Sequence, residues 1–286
     1  MTHKILVPVR GDGKGDKTLA YAASLAGGGD NHIVIVHCRP SPEDMLPYGI
    51  PLPKILRKQI LEQASTLADV EEKGLITELK VLAKSLNLNL SGTAIDGMIN
   101  AEWVEETGRQ VDVIRRQGRL ADIIVVPQPD VDRNLGTNTL KAALFHSGRP
   151  VLMVPNDGPL QPLSQLGRNV TIAWNGSLES SRAVTMTLPL LQRTNAVTIL
   201  SSGAEPNAAS ARDLKSYLLS HRVEATIERF EKTRNVGEKL LSLTADLGAD
   251  TLIMGAYGDS HERETVFGGN TQHIVDKAKM PVILVH

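Results

Sequence analysis

The sequence predicts an α/β protein made of two related halves, each folded around a mainly parallel sheet. Three observations predict it. Short apolar runs of strand length alternate with helix-length amphipathic segments, which is the pattern of βα units. The alternation occurs twice along the 286 residues. A stretch rich in proline and glycine, Pro155-Asn-Asp-Gly-Pro-Leu-Gln-Pro162, separates the copies as a linker would. The expected domains are residues 1–157 and 168–286.

The elements follow in order. Lys4-Ile-Leu-Val-Pro-Val9 and Asn169-Val-Thr-Ile-Ala-Trp174 are the first strands, each leading through a polar, glycine-bearing turn into a helical pattern. Those helices begin near Thr18 and Ser181. Ile33–Val36 and Val197–Leu200 are the second strands. Third strands are expected near Asn87–Ala94 and Val223–Phe230. Leu120-Ala-Asp-Ile-Ile-Val-Val126 answers Gly248-Ala-Asp-Thr-Leu-Ile-Met254 as the fourth strand. Gly148-Arg-Pro-Val-Leu-Met-Val154 answers Lys279-Met-Pro-Val-Ile-Leu-Val285 as the fifth. The first half carries a surplus between Arg39 and Leu86, a proline-rich loop followed by a helical stretch from Ile55.

Composition narrows the function. Aromatic residues make up 3% of the chain, so the cores rest on Val, Ile, Leu and Ala, as suits buried parallel strands. A formal net charge of −1 offers no basic surplus for a nucleic-acid backbone. The single cysteine, Cys38, excludes an intrachain disulfide and a thiolate-only metal site. Apolar runs are too short to span a membrane, and the N-terminus reads directly as a strand. A cytoplasmic location is the expectation.

The most informative segment is Gly255-Ala-Tyr-Gly258, followed after nine residues by Gly268-Gly-Asn-Thr271. It lies between a strand and a helix. Glycines there let the backbone approach a ligand, and the helix N-terminus adds unpaired N–H groups and the positive end of a dipole. The combination is a phosphate cradle.

This glycine spacing resembles the ATP-binding pattern of the universal stress protein family. Val170-Thr-Ile-Ala-Trp-Asn-Gly-Ser177 is similar to that family's first strand and turn, and the paired halves resemble its tandem form. The resemblance implies two doubly wound domains of the adenine-nucleotide alpha-hydrolase-like fold, each a five-stranded parallel sheet in the order 3-2-1-4-5. A crevice then opens outside the carboxyl ends of strands 1 and 4, where the order reverses. By resemblance, Ala173, Trp174 and Asn175 line the adenine and ribose end, with Ser202 at the adenine edge. Met254, Gly255 and Gly258 border the ribose and first phosphates. Gly268, Gly269, Asn270 and Thr271 hold the outer phosphates. The chain has Asn175 where the family usually has Asp, and Gly269 where it usually has Ser or Thr.

The implied ligand is ATP, with AMP or ADP as alternatives and Mg²⁺ held through the phosphates. No catalytic residue is assigned, and at most slow ATP hydrolysis is expected. The implied role is a nucleotide-binding module in stress response or signalling. Its partners would be the nucleotide and an unidentified protein, and no nucleic acid or membrane. The two halves are expected to form an intrachain pseudo-dimer through their fifth strands, with a further homodimer open. The alternatives are an adenylate-forming or ATP-hydrolysing enzyme of the same fold, or a structural, dimer-forming protein with an empty crevice.

The first half departs from the pattern. Its strand 1 ends at Arg10, and its strand 4 runs into Pro127-Gln-Pro129, where proline lacks an N–H and cannot reach positive φ. It reads as a degenerate partner. Arg10–Thr18 is glycine-rich but misses the phosphate-loop spacing, so it reads as a solvated turn. His37-Cys38 reads as structural. The polar run Asp259, His261, Glu262 and Glu264 reads as a solvated face able to screen phosphates or hold Mg²⁺ through them.

Overall fold

The computed structural model describes residues 4–9, 15–27, 31–39, 41, 53–91, 95, 97–130, 136–157, 166–202, 208–258 and 269–286. The first half runs β1 (Lys4–Val9), α1 (Gly15–Ala26), β2 (His32–Arg39), α2 (Lys54–Ser85), β3 (Leu88–Asn89), β4 (Ile99–Thr107), α3 (Gln110–Gly118), β5 (Ile123–Pro127), α4 (Thr137–His146) and β6 (Val151–Val154). The second half repeats the plan with β7 (Asn169–Trp174), α5 (Leu178–Leu191), β8 (Ala196–Ser202), α6 (Ala211–Ser220), β9 (Thr226–Phe230), α7 (Val236–Asp246), β10 (Thr251–Gly255), α8 (Gly269–Lys277) and β11 (Val282–Val285).

All the strands among the described residues belong to one eleven-stranded sheet in the order β3-β4-β2-β1-β5-β6-β11-β10-β7-β8-β9. Each half therefore has the order 3-2-1-4-5, and pairing within each half is parallel. The halves meet where β6 pairs antiparallel with β11, with Ile283 opposite Leu152. Every residue of β6 and β11 is at most 1% exposed. Burying such side chains contributes roughly 1.5–3 kcal/mol each, so the seam is core rather than a contact between finished surfaces.

The Ala-Asp pair before each fourth strand has a structural reason. Asp250 accepts the backbone N–H groups of Gly167, Arg168 and Asn169, and Asp122 accepts that of Lys4. Each carboxylate thus ties the entry of strand 1 to the entry of strand 4.

One expectation needs correcting. The third strand of the first half is β4, not Asn87–Ala94. Among the described residues of that segment only Leu88 and Asn89 form a strand, an extra parallel edge on β4. The alternation Leu86-Asn-Leu-Asn-Leu90 imitates a strand, but Asn87 sits at φ 55°, which breaks an extended run at its start. In the second half β9 begins at Thr226, three residues later than expected. The helical surplus is the single helix α2, and the sides of Leu75, Leu79 and Leu82 line a small gap with Val9, Leu19 and Trp103. No helix among the described residues is long and apolar enough to cross a membrane.

Candidate functional site

The largest group of predicted residues converges on one crevice at the carboxyl end of the second half's sheet. The registers explain why. Met254 pairs with Ala173, Trp174 with Ser201, and Ser202 with Phe230, so the exits of β10, β7, β8 and β9 lie side by side. A cleft of about 290 Å³ opens there. It is lined by Ala173, Trp174, Asn175, Ser202, Met254, Gly255, Gly258, Gly269, Asn270 and Thr271. Gly268 lies outside the described residues, as do Asp259, His261, Glu262 and Glu264.

The turn after β7 is built by local hydrogen bonds. The Asn175 side-chain oxygen accepts the Ser177 N–H at 3.1 Å, and Ser177 Oγ accepts the Ser180 N–H at 3.2 Å as N-cap of α5. Gly176, at φ +73°, is held between them, and a Cβ there would lie 2.5 Å from Ala208 Cβ. Only glycine fits both demands. Asn175 is exposed at the mouth of the crevice.

Trp174 borders the cleft, yet its indole has a structural task. Its N–H donates to the Ala209 carbonyl at 2.8 Å, and its ring belongs to the core on the α5 and α6 face. Ala173, Leu200 and Met254 belong instead to the opposite core, with Leu240 of α7. The floor of the crevice is therefore aliphatic.

The glycines divide by what surrounds them. A Cβ on Gly255 would lie 2.4 Å from the Ser180 backbone nitrogen and 2.6 Å from the Glu179 carbonyl carbon. Gly255 thus lets the first turn of α5 rest on β10. A Cβ on Gly258 would meet Glu179 Oε2 at 2.7 Å. Gly269, at the start of α8, has no described atom within 4 Å of such a Cβ. Asn270 Oδ1 accepts the Gly237 N–H at 3.3 Å and holds α7 against α8. Thr271 is buried.

Ser177, which sequence favours as the N-cap of the following helix, has that role and also lines the cleft, while Glu179, Ser180, Leu200, Phe230, Val236, Leu240 and Tyr257 escaped sequence reasoning as lining residues. Phe230 could have been found as the residue that closes β9 beside Ser202. Val236 and Leu240 stand four apart on α7, the spacing of one helix face. Glu179 carried the signal of an acid in the first turn after an N-cap.

Tyr257 connects the site to the other half. It sits at φ 60°, and its ring meets Phe145 of α4 with centroids 5.0 Å apart. Phe145 also meets the His286 ring edge-on at 4.9 Å. Burial, with Asp276 nearby, pushes the Tyr257 phenol well above its ordinary ionisation range. Across the same seam, Gln128 donates to the Val275 carbonyl of α8 at 2.7 Å while accepting the Asn156 N–H.

The electrostatics of the cleft are simple. Among its described lining residues Glu179 alone carries a formal charge. It lies in the first turn of α5, whereas α8 has no acid in its first turn. The first turn of α7, which also opens on the cleft at Val236, carries Glu238, so among the described first turns at the crevice that of α8 is the one without an acid. No group of three or more His, Cys, Asp or Glu among the described residues is placed to hold a metal ion directly.

Comparison with known proteins adds the family. The model of the universal stress protein family matches residues 167–286. The crystal structure of a universal stress protein from Archaeoglobus fulgidus DSM 4304 covers 99% of this chain and 97% of its own, with a TM-score of 0.71 at 16% identity. A functionally unknown protein from Pseudomonas aeruginosa PAO1 covers 99% of this chain and 92% of its own, with a TM-score of 0.55 at 14% identity. At such identities the likeness establishes the fold, over the full length of both halves. No curated protein matches the sequence significantly.

Proposed function

Residues 167–286 belong to the universal stress protein family, and on that premise we propose that the chain is an adenine-nucleotide-binding module with its site in the second half. The observation that carries this is the convergence in one cleft of the turn after β7, the exit of β10 and the start of α8. Such a crevice, at the point where the strand order reverses, is where doubly wound sheets take ligands.

The proposed pose follows from the chemistry of the walls. The base lies over the aliphatic floor of Ala173, Leu200 and Met254, with Phe230 and Ser202 at its edge. The ribose sits against Asn175, whose amide can exchange hydrogen bonds with a hydroxyl. The phosphates run past Gly258 toward Gly269, Asn270 and Thr271, where the backbone N–H groups and dipole of α8 receive negative charge. Mg²⁺ would be held through the phosphates. Asn175 and Gly269 remove a charge and a hydroxyl from the family's usual set, which favours a ligand held by backbone groups and burial. The proposed role is binding in a stress response or in signalling, and no chemical step is assigned.

The test is to denature natively purified protein and identify the released small molecules by mass spectrometry, alongside calorimetry with MgATP, ADP and AMP. An adenine nucleotide in the released fraction, or saturable binding of one of the three, is expected. The absence of both, with no nucleotide released and no binding at millimolar concentration, would contradict the proposal.

A further inference from the structure

We propose that Glu179 sets the charge selectivity of the cleft, so that adenosine-class ligands enter with few net charges or with a divalent cation on their phosphates, and free polyphosphate anions are disfavoured. This rests on the adenine-nucleotide reading of the same site.

The observation is a contrast between the cleft's shape and its charge. Its glycines and the start of α8 suit a phosphate chain, yet no Lys, Arg or His is among the described lining residues. The one charged side chain is an acid, and it is placed on the path of the phosphates. Glu179 Oε2 lies 2.7 Å from where a Cβ of Gly258 would be, so its carboxylate rests against the backbone the chain of phosphates must pass. Glu179 is half-buried there.

Glu179 also has an ordinary structural use. An acid in the first turn of a helix stabilises it by facing the dipole. That use sharpens the functional consequence, because it cancels the positive end of α5 on the nucleoside side of the cleft. The first turn of α8 carries no acid of its own. A phosphate chain therefore meets a negative charge before it reaches its cradle. Two unit charges at about 4 Å repel by roughly 1 kcal/mol in water and about 4 kcal/mol near a partly buried surface, equivalent to between about fivefold and several hundredfold in affinity. Neutralising the phosphates with Mg²⁺ removes this opposition, and the cation can turn the same carboxylate into an attraction. Adenosine lacks the charge and is indifferent to it.

The experiment is calorimetric titration of the full chain with adenosine, ATP in EDTA, and ATP with Mg²⁺, for wild type and Glu179→Gln, with circular dichroism and melting as folding controls. In wild type, MgATP should bind at least about fivefold more tightly than metal-free ATP. Glu179→Gln should tighten metal-free ATP and shrink that gap to about threefold or less, with adenosine affinity unchanged. Wild type binding free ATP as tightly as MgATP overturns the proposal, and this arm needs no variant. So does an equal metal dependence in wild type and Glu179→Gln, or an adenosine affinity that moves as much as that of ATP, which would make Glu179 a packing residue. A wild type that binds MgATP and adenosine without this selectivity defeats the inference alone. A wild type that binds no adenine compound defeats it together with the proposed function.

Discussion

The two halves leave their fourth strands in opposite ways. In the second half β10 ends at Gly255, Tyr257 and Gly258 follow at the cleft, and α8 begins at Gly269, where an added Cβ would meet no described atom within 4 Å. In the first half β5 ends at Pro127, Gln128 and Pro129 are buried, and Gly136 caps α4 with its Cβ direction 3.3 Å from Pro129 Cα. Among the described residues, the junction lines a cleft in one copy and is packed with buried residues in the other. The difference teaches what a lost site can become. Gln128 donates to the Val275 carbonyl of α8, the helix that opens the proposed phosphate cradle. Tyr257, beside that cradle, rests on Phe145 of the first half. The first half thus braces the second on both sides of its glycine loop.

This comparison can be broken at the seam first, where the largest effect is expected. Leu152→Asp or Ile283→Asp places a charge where both residues are 0% exposed. An unpaired buried charge should cost about 3–5 kcal/mol, seen as a lowered urea midpoint and a rise in binding of a hydrophobic dye. Loss of less than about 1 kcal/mol would mean the halves are not joined through β6 and β11.

Gly255→Val should cost less, about 1–3 kcal/mol, because its branched side chain drives into the backbone of the first turn of α5. Pro127→Gly, at the matching position of the first half, should cost at most about 1 kcal/mol and create no nucleotide site. Equal urea midpoints for the two variants would remove the distinction between the junctions.

A pH titration sharpens the role of Tyr257. Its folded-state ionisation is raised by burial, so the unfolded chain loses the phenolic proton first as pH rises. Its contribution is present in full below about pH 10 and declines above it. Melting between pH 9 and 11 should therefore show a steeper loss of stability in wild type than in Tyr257→Phe. Identical slopes would contradict a buried phenol.

The smallest stability effect is expected at Gly269→Ser, which adds a hydroxyl where a Cβ meets no described atom within 4 Å and should shift stability by no more than about 0.5 kcal/mol. One added hydrogen bond should tighten MgATP by roughly two- to tenfold. Unchanged affinity would take the start of α8 out of the phosphate path.

The sequence reading reached the fold because strand length, Ala-Asp pairs before the fourth strand and Pro-Val pairs at the start of the fifth recur in both halves. It reached much of the crevice because the glycines mark the strand exit and helix start that line it, although Gly255 also serves the packing of α5 on β10. It failed at β4, whose Asn-Ala-Glu-Trp-Val-Glu-Glu run is polar enough to look like surface, while Leu86–Leu90 alternated more cleanly. It missed Glu179 because a first-turn acid is common in helices and only the packing of α5 on β10 brings it over Gly258. It missed Tyr257 as a link between halves because that contact depends on the antiparallel seam, which local pattern does not encode. Trp174 was legible as part of the turn, but its hydrogen bond to Ala209 depends on tertiary placement.

The central claim is one nucleotide site per chain, in the second half. Its most direct test is the calorimetric stoichiometry of MgATP on the full chain. The account predicts one mole bound per mole of chain, with the same stoichiometry in Pro127→Gly. A value near two, or saturable binding by a preparation of the first half shown to be folded, would contradict it.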